Sequence, residues 1–234
     1  MAGVRPLWAA APVRVFAAAS LKLPLDAIAS TWDGPPISLA YGGSGTLARQ
    51  VARGAPADLV VLAATDWMEW LQGQGRIEGS TVSVAGNRLA LVGPPDAARF
   101  DLSRAAVLDR LGPNGRFAMG DPMSAPVGRY GQQALETLGL WADLRDRAIL
   151  VENVRAALAY VARGDVKLGL VYASDTVGSD VTRVADIPVG AHQPIRYPAG
   201  LVPGAPVSAR RFLDLLRQAG DMFAAHGFAP AQDL

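Results

Sequence analysis

The stretch Val15-Phe16-Ala17-Ala18-Ala19-Ser20-Leu21 constrains the fold more than any other part of the chain. An apolar run of strand length ends in three alanines and a hydroxyl. An amphipathic stretch then follows, with Leu25, Ile28, Ala29 and Trp32 on a three-to-four spacing. A buried strand that passes directly into a helix is the repeating unit of layered α/β proteins. The segment Tyr41-Gly42-Gly43-Ser44-Gly45-Thr46-Leu47 has the same form. At such corners the small residues leave open space beside a helix start, where free N–H groups and partial positive charge attract anions.

The rest of the chain continues this alternation, which predicts α/β layers with largely parallel strands. Strands are expected over residues 13–17, 37–41, 58–62, 88–92, 117–120 and 168–172, with 195–202 extended. Helices are expected over 45–53 closed by Gly54, 66–72 capped by Thr65, and 127–138 ended by Gly139. Two more follow: 154–163, capped by Asn153 and stopped by Gly164, and 209–226, capped by Ser208. In open α/β sheets ligands sit beyond the carboxyl ends of the strands, and Ser20, Ser44, Val127, Val154 and Tyr172 all fall at such ends or at the helix starts behind them.

Composition excludes several functions. With 234 residues, half of them hydrophobic and a net charge of +1, the chain suits a two-layered globular protein and offers no basic surface for nucleic acid. It has no cysteine, hence no disulfide and no thiolate chemistry, and no apolar run long enough to span a bilayer. Residues 1–12 hold one arginine and a short apolar patch, too little for a complete secretory signal; the segment reads either as the start of a mature chain behind an added Met or as that of a cytoplasmic protein. His192 and His226 stand apart with no metal-ligand spacing, and no nucleophile elbow, phosphate-binding loop or dinucleotide fingerprint appears in context. Asp58, Asp121 and Asp175 read as braces of loops.

The candidate site residues are therefore uncharged. Ser20 stands where a helix N-cap would, and no acidic residue in the following turn compensates the dipole. Ser44 lies among glycines that allow close backbone approach or positive φ, with Thr46 as a further hydroxyl. Val127 and Val154 open helices and offer backbone N–H groups. Tyr172 ends an apolar strand and can point its O–H into a cleft.

These residues, taken with Ser44-Gly45-Thr46-Leu47-Ala48-Arg49-Gln50, Gly54-Ala55-Pro56-Ala57-Asp58, Gly120-Asp121-Pro122, Glu152-Asn153-Val154-Arg155-Ala156-Ala157-Leu158, Leu168-Gly169-Leu170-Val171-Tyr172, Ile195-Arg196-Tyr197-Pro198 and Gly227-Phe228, give the chain a clear likeness. It resembles the periplasmic molybdate-binding proteins of molybdate ABC importers from Val13 to Phe228. The resemblance implies a type II periplasmic-binding-protein fold, with two α/β lobes joined by two crossing strands and a ligand cleft between them. One lobe would comprise residues 1–87 with 197–234 and the other 88–196, closing about crossing segments at 87–92 and 197–202. The implied ligand is molybdate or tungstate, and no cofactor is expected. Molybdenum would enter only as its oxyanion, with no protein atom bound to the metal. Ser20 and Ser44 would hold the oxyanion through hydroxyl and N–H, Val127 and Val154 through N–H, and Tyr172 through its hydroxyl.

The implied setting is a monomer in the periplasm that delivers its ion to an inner-membrane permease, without turnover. A carrier of sulfate or another small oxyanion is the nearest alternative. A ligand-sensing regulator would require a helix-turn-helix, for which the residues before Val13 leave no room, and an enzyme would require a nucleophile–base pair in the cleft.

Overall fold

A computed structural model describes residues 11–232; the leader question raised by the first ten residues lies outside that range. The chain opens with β1 (Val13–Ala18), in which Val13, Val15 and Ala17 are buried and Arg14 faces solvent, so that alternation gives way to small buried residues at the carboxyl end. A 3-10 turn, Ala19–Leu21, leads into α1 (Lys22–Ser30). Then come β2 (Ile37–Gly42), α2 (Ser44–Ala52), β3 (Leu59–Val61), α3 (Thr65–Gly73) and β4 (Glu78–Asn87). A single residue, Arg88, separates β4 from β5 (Leu89–Gly93), which belongs to a second sheet.

That second half continues through α4 (Arg104–Leu111), β6 (Phe117–Gly120), α5 (Pro126–Thr137), α6 (Trp141–Leu144), β7 (Ala148–Val151), α7 (Val154–Ala162), β8 (Leu168–Tyr172) and β9 (Thr182–Asp186). The chain then returns to the first sheet as β10 (Ile195–Leu201) and finishes with α8 (Val207–Gln218) and α9 (Gly220–Ala225). The first sheet has the order β2-β1-β3-β10-β4 and the second β7-β6-β8-β5-β9. In each, four strands point the same way and one, β10 in the first and β5 in the second, runs against them, so the sheets are mixed. The reversed strand is in each case the one by which the chain arrives from the other sheet: β10 in the first and β5 in the second.

Local chemistry explains many boundaries. Gly54, Gly139 and Gly164 follow helices in the left-handed region, with φ of 91, 68 and 75°, where a side chain would be strained. The Asn153 side chain caps α7 by accepting from the Ala156 N–H at 3.0 Å. Other expectations are corrected. Thr65 and Ser208 are not caps, since each lies inside the first turn of its helix, and Ala64 and Pro206 hold the cap positions without a side-chain bond. The last helical stretch breaks at Ala219, before Gly220. The second crossing runs through residues 187–194 rather than 197–202, because β10 already pairs with β4 from Ile195 opposite Asn87.

Candidate oxyanion-binding site

The carboxyl ends of β1, β2, β6, β7 and β8 converge on one cavity between the sheets. Its lining consists of Ala18, Ala19, Ser20, Gly42, Gly43, Ser44 and Ala63 from the first half and Ala125, Pro126, Val127, Asn153, Val154 and Tyr172 from the second. All five residues singled out from sequence are therefore brought together. Among the described residues, the lining carries no ionisable side chain beyond the tyrosine. The cavity is small, with about 240 Å³ of empty space including its open mouth. It has room for a small ion.

Three helices of nine residues or more start at its wall. None of α2, α5 and α7 has an acidic residue in its first turn, so their dipoles are uncompensated from within. In α5 the first position is Pro126, which has no N–H; Gly128 and Arg129 both donate to the Ala125 carbonyl, and Val127 carries the first donor free of an intrahelical partner. In α7 the Asn153 side chain takes the Ala156 N–H, which leaves those of Val154 and Arg155 without an intrahelical acceptor.

Each hydroxyl has a distinct environment. The Ser44 oxygen accepts from the Ala63 N–H at 3.0 Å in a buried setting, so its own hydrogen is free for the cavity. Ser20 is not the helix cap expected of it. It sits inside the 3-10 turn; Ala18 holds the cap position of that turn and Leu21 that of α1, neither with a side-chain bond, and the Ser20 oxygen lies 3.0 Å from the Tyr197 hydroxyl. Tyr172 is 2 % exposed, and among the described residues its oxygen has no hydrogen-bond partner. Burial of this kind costs about 1–3 kcal/mol for an unsatisfied hydroxyl, a cost that a ligand oxygen in the cavity would remove. Burial first, and the neighbouring Tyr197 next, push its pKa well above that of a free tyrosine, so Tyr172 stays a protonated donor.

The glycines beside Ser44 serve close approach, not unusual backbone angles, since none of them has positive φ. A Cβ on Gly43 would stand 2.6 Å from the Glu152 carbonyl oxygen, and one on Gly45 2.6 Å from that of Ser124. First-half loops thus press directly on second-half backbone. Arg129 of α5 and Asp66 of α3 form an ion pair between the same halves. Thr46, by contrast, is exposed and does not line the cavity.

Of the three aspartates, Asp58 braces its loop through Arg14 N at 2.7 Å and two guanidinium bonds, and Asp121 through the Met123 N–H at 2.9 Å. Asp175 differs. It is 1 % exposed, among the described residues neither carboxylate oxygen has a hydrogen bond, and Arg155 Nε lies 3.4 Å away. Burial raises its pKa to about 7 against the opposing pull of Arg155. Sequence reasoning missed this pair and the partners of both serines, Ala63 and Tyr197. Residues 20 and 197 are 177 positions apart, and no local pattern announces such a contact.

Comparison with known proteins agrees with this architecture. The profile of the family described as bacterial extracellular solute-binding protein matches residues 13–229. The molybdate-binding protein ModA of Escherichia coli K12 is 36 % identical over 226 residues, covering 92 % of this chain and 88 % of its own. Among solved structures, the periplasmic molybdate-binding protein of Azotobacter vinelandii superposes with a TM-score of 0.82 at 24 % identity, covering 94 % of this chain and 100 % of the other. The sulfate-binding protein SubI of Mycobacterium tuberculosis H37Rv gives 0.77 at 18 %, covering 94 % and 86 %, a likeness of fold. The chain belongs to the bacterial extracellular solute-binding protein family and is a relative of the ModA molybdate-binding proteins.

Proposed function

We propose that this protein captures molybdate in the cavity between its two sheets and delivers it to the permease of an ABC importer. The observation that carries this reading is the buried, unpartnered Tyr172 hydroxyl, set in a cavity where three uncompensated helix starts converge. A tetrahedral dianion supplies the acceptors these donors lack. On this reading Ser20, Ser44 and Tyr172 donate their hydroxyl hydrogens, and Val127 and Val154 their backbone N–H groups. Neutral donors suit a carrier, because they hold charge through several partial charges and release it when the halves part.

The halves act as lobes, 1–87 with 195–234 against 88–194, since β10 joins the first sheet from Ile195, and the protein works outside the cytoplasmic membrane as a single chain. The site binds and does not turn over its ligand: among the described residues no nucleophile–base pair faces the cavity. Tungstate, of nearly the same size, is held as well. Sulfate has the same charge and shape with shorter bonds to oxygen, and it is discriminated by reach. The SubI likeness makes sulfate carriage the one competing reading.

Titration calorimetry with molybdate, tungstate, sulfate and phosphate separates the two. Molybdate and tungstate are expected to bind with submicromolar Kd, about −8 kcal/mol or better, and sulfate at least ~100-fold more weakly, about 2.7 kcal/mol. Equal affinity for sulfate and molybdate would overturn the molybdate reading and keep the oxyanion site.

A further inference from the structure

A serine hydroxyl beside an anion is useful only if its hydrogen points at the anion. For Ser44 the Ala63 N–H settles this, because a backbone N–H can only donate. For Ser20 the neighbour is another hydroxyl, Tyr197, and either oxygen could accept from the other at 3.0 Å. Asn87 decides the direction. Its Oδ1 faces two backbone donors, Arg88 N at 2.9 Å and Ser174 N at 3.5 Å, so the other end of the amide is the NH₂ group. That group donates to Ser174 Oγ at 2.8 Å and to the Tyr197 oxygen at 2.9 Å.

Tyr197 is fully buried, and among the described residues its hydroxyl meets only Asn87 and Ser20. Since the Asn87 NH₂ can only donate, the sole acceptor left for the Tyr197 hydrogen is Ser20 Oγ. Any other arrangement strands a buried O–H. Ser20 therefore receives a hydrogen from Tyr197, and its own turns to the cavity.

We propose that Asn87 and Tyr197, neither of which lines the cavity, are positioning residues that hold Ser20 in the donor orientation and so raise affinity for an anionic ligand. This rests on the reading of Ser20 as an anion donor. The chain of bonds starts at the end of β1, passes through β10 and the last residue of β4, and ends at Ser174 beside Tyr172. It thus links Ser20 of the first half to Ser174 of the second through the crossing between the sheets.

The test is a double-mutant cycle by molybdate calorimetry on the whole protein, with melting temperatures in parallel. Tyr197→Phe removes the hydrogen given to Ser20 and keeps the ring that packs against Phe228 and Tyr172. It is expected to weaken binding by about three- to ten-fold in the wild-type background. In a Ser20→Ala background the same change is expected to cost nothing further, and in a Ser44→Ala background its full effect should persist. Asn87→Asp replaces the donor by an acceptor that draws the Tyr197 hydrogen away from Ser20; its loss should exceed that of Tyr197→Phe and shrink when Ser20 is alanine. A purely structural role would lower the melting temperature without this dependence on Ser20. If Ser20→Ala weakens binding but Tyr197→Phe costs the same in both backgrounds, or costs nothing, the relay is overturned and the site reading survives. If Ser20→Ala itself binds as wild type, both fail at Ser20.

Discussion

The two halves of the molecule present donors to the same cavity in opposite ways. In the first half both serine oxygens are already engaged, Ser44 by the Ala63 N–H and Ser20 by Tyr197, and these bonds aim the hydroxyl hydrogens outward. In the second half nothing is engaged. Val127 and Val154 carry bare N–H groups at helix starts, and the Tyr172 hydroxyl is buried without a partner. The first half is pre-oriented by hydrogen bonds that persist without ligand; the second is left unsatisfied until a ligand arrives. One gains its specificity from bonds made within the fold, the other from a cost that only an acceptor of the right size removes. A carrier that must open again profits from the asymmetry, since the unsatisfied half has no competing partner to exchange.

The largest expected break in this contrast comes from Tyr172→Phe. Losing a hydroxyl donor to a charged ligand costs about 1.5–3 kcal/mol, or roughly ten- to a hundred-fold in affinity. Because the hydroxyl has no partner among the described residues, the melting temperature of the ligand-free variant should not fall; calorimetry and thermal unfolding check the two halves of this statement. Ser44→Ala should lose affinity over the same range or somewhat less, and here stability should fall as well, because the buried Ala63 N–H loses its acceptor at a cost of about 1–3 kcal/mol. Equal loss of stability in both variants would erase the distinction between the halves.

The smallest effect sharpens the contrast rather than breaking it. Asp175 is fully buried behind Tyr172, faces Arg155 at the start of α7, and also acts on Tyr197. With its pKa raised to about 7, it is protonated below that pH and adds a negative charge above it. Molybdate affinity should therefore decline by a few-fold as pH rises from 6 to 8. The sign for stability is the same: the folded state holds a proton that the unfolded chain has released by about pH 4, so stability falls as pH rises from there to about 7. Asp175→Asn should flatten both profiles, as seen by calorimetry and thermal unfolding across the range.

Much of the architecture was legible because it rests on local signals. Strands 117–120 and 168–172 are bounded by glycine, proline and helix starts, and Asn153 announces α7 by its own capping chemistry. The strand Glu78–Asn87 escaped notice, since Gly79 and Gly86 interrupt its pattern and its pairing with β10 is irregular. β7 and β9 are short strands at opposite edges of the second sheet, with weak alternation. The five candidate residues were visible as ends of strands and starts of helices. What aims them was not, because Ala63, Asn87 and Tyr197 reach the site through tertiary pairings that leave no mark on neighbouring residues.

The central claim, that both halves place neutral donors on one oxyanion, is tested most directly by a crystal structure of the molybdate complex, with the molybdenum located by its anomalous scattering. The account predicts a single molybdenum site in the cavity, its oxygens within hydrogen-bond distance of Ser20 Oγ, Ser44 Oγ, Tyr172 Oη and the amide nitrogens of Val127 and Val154. An ion seated elsewhere, or one held in the cavity with the Tyr172 hydroxyl still unpartnered, would contradict it.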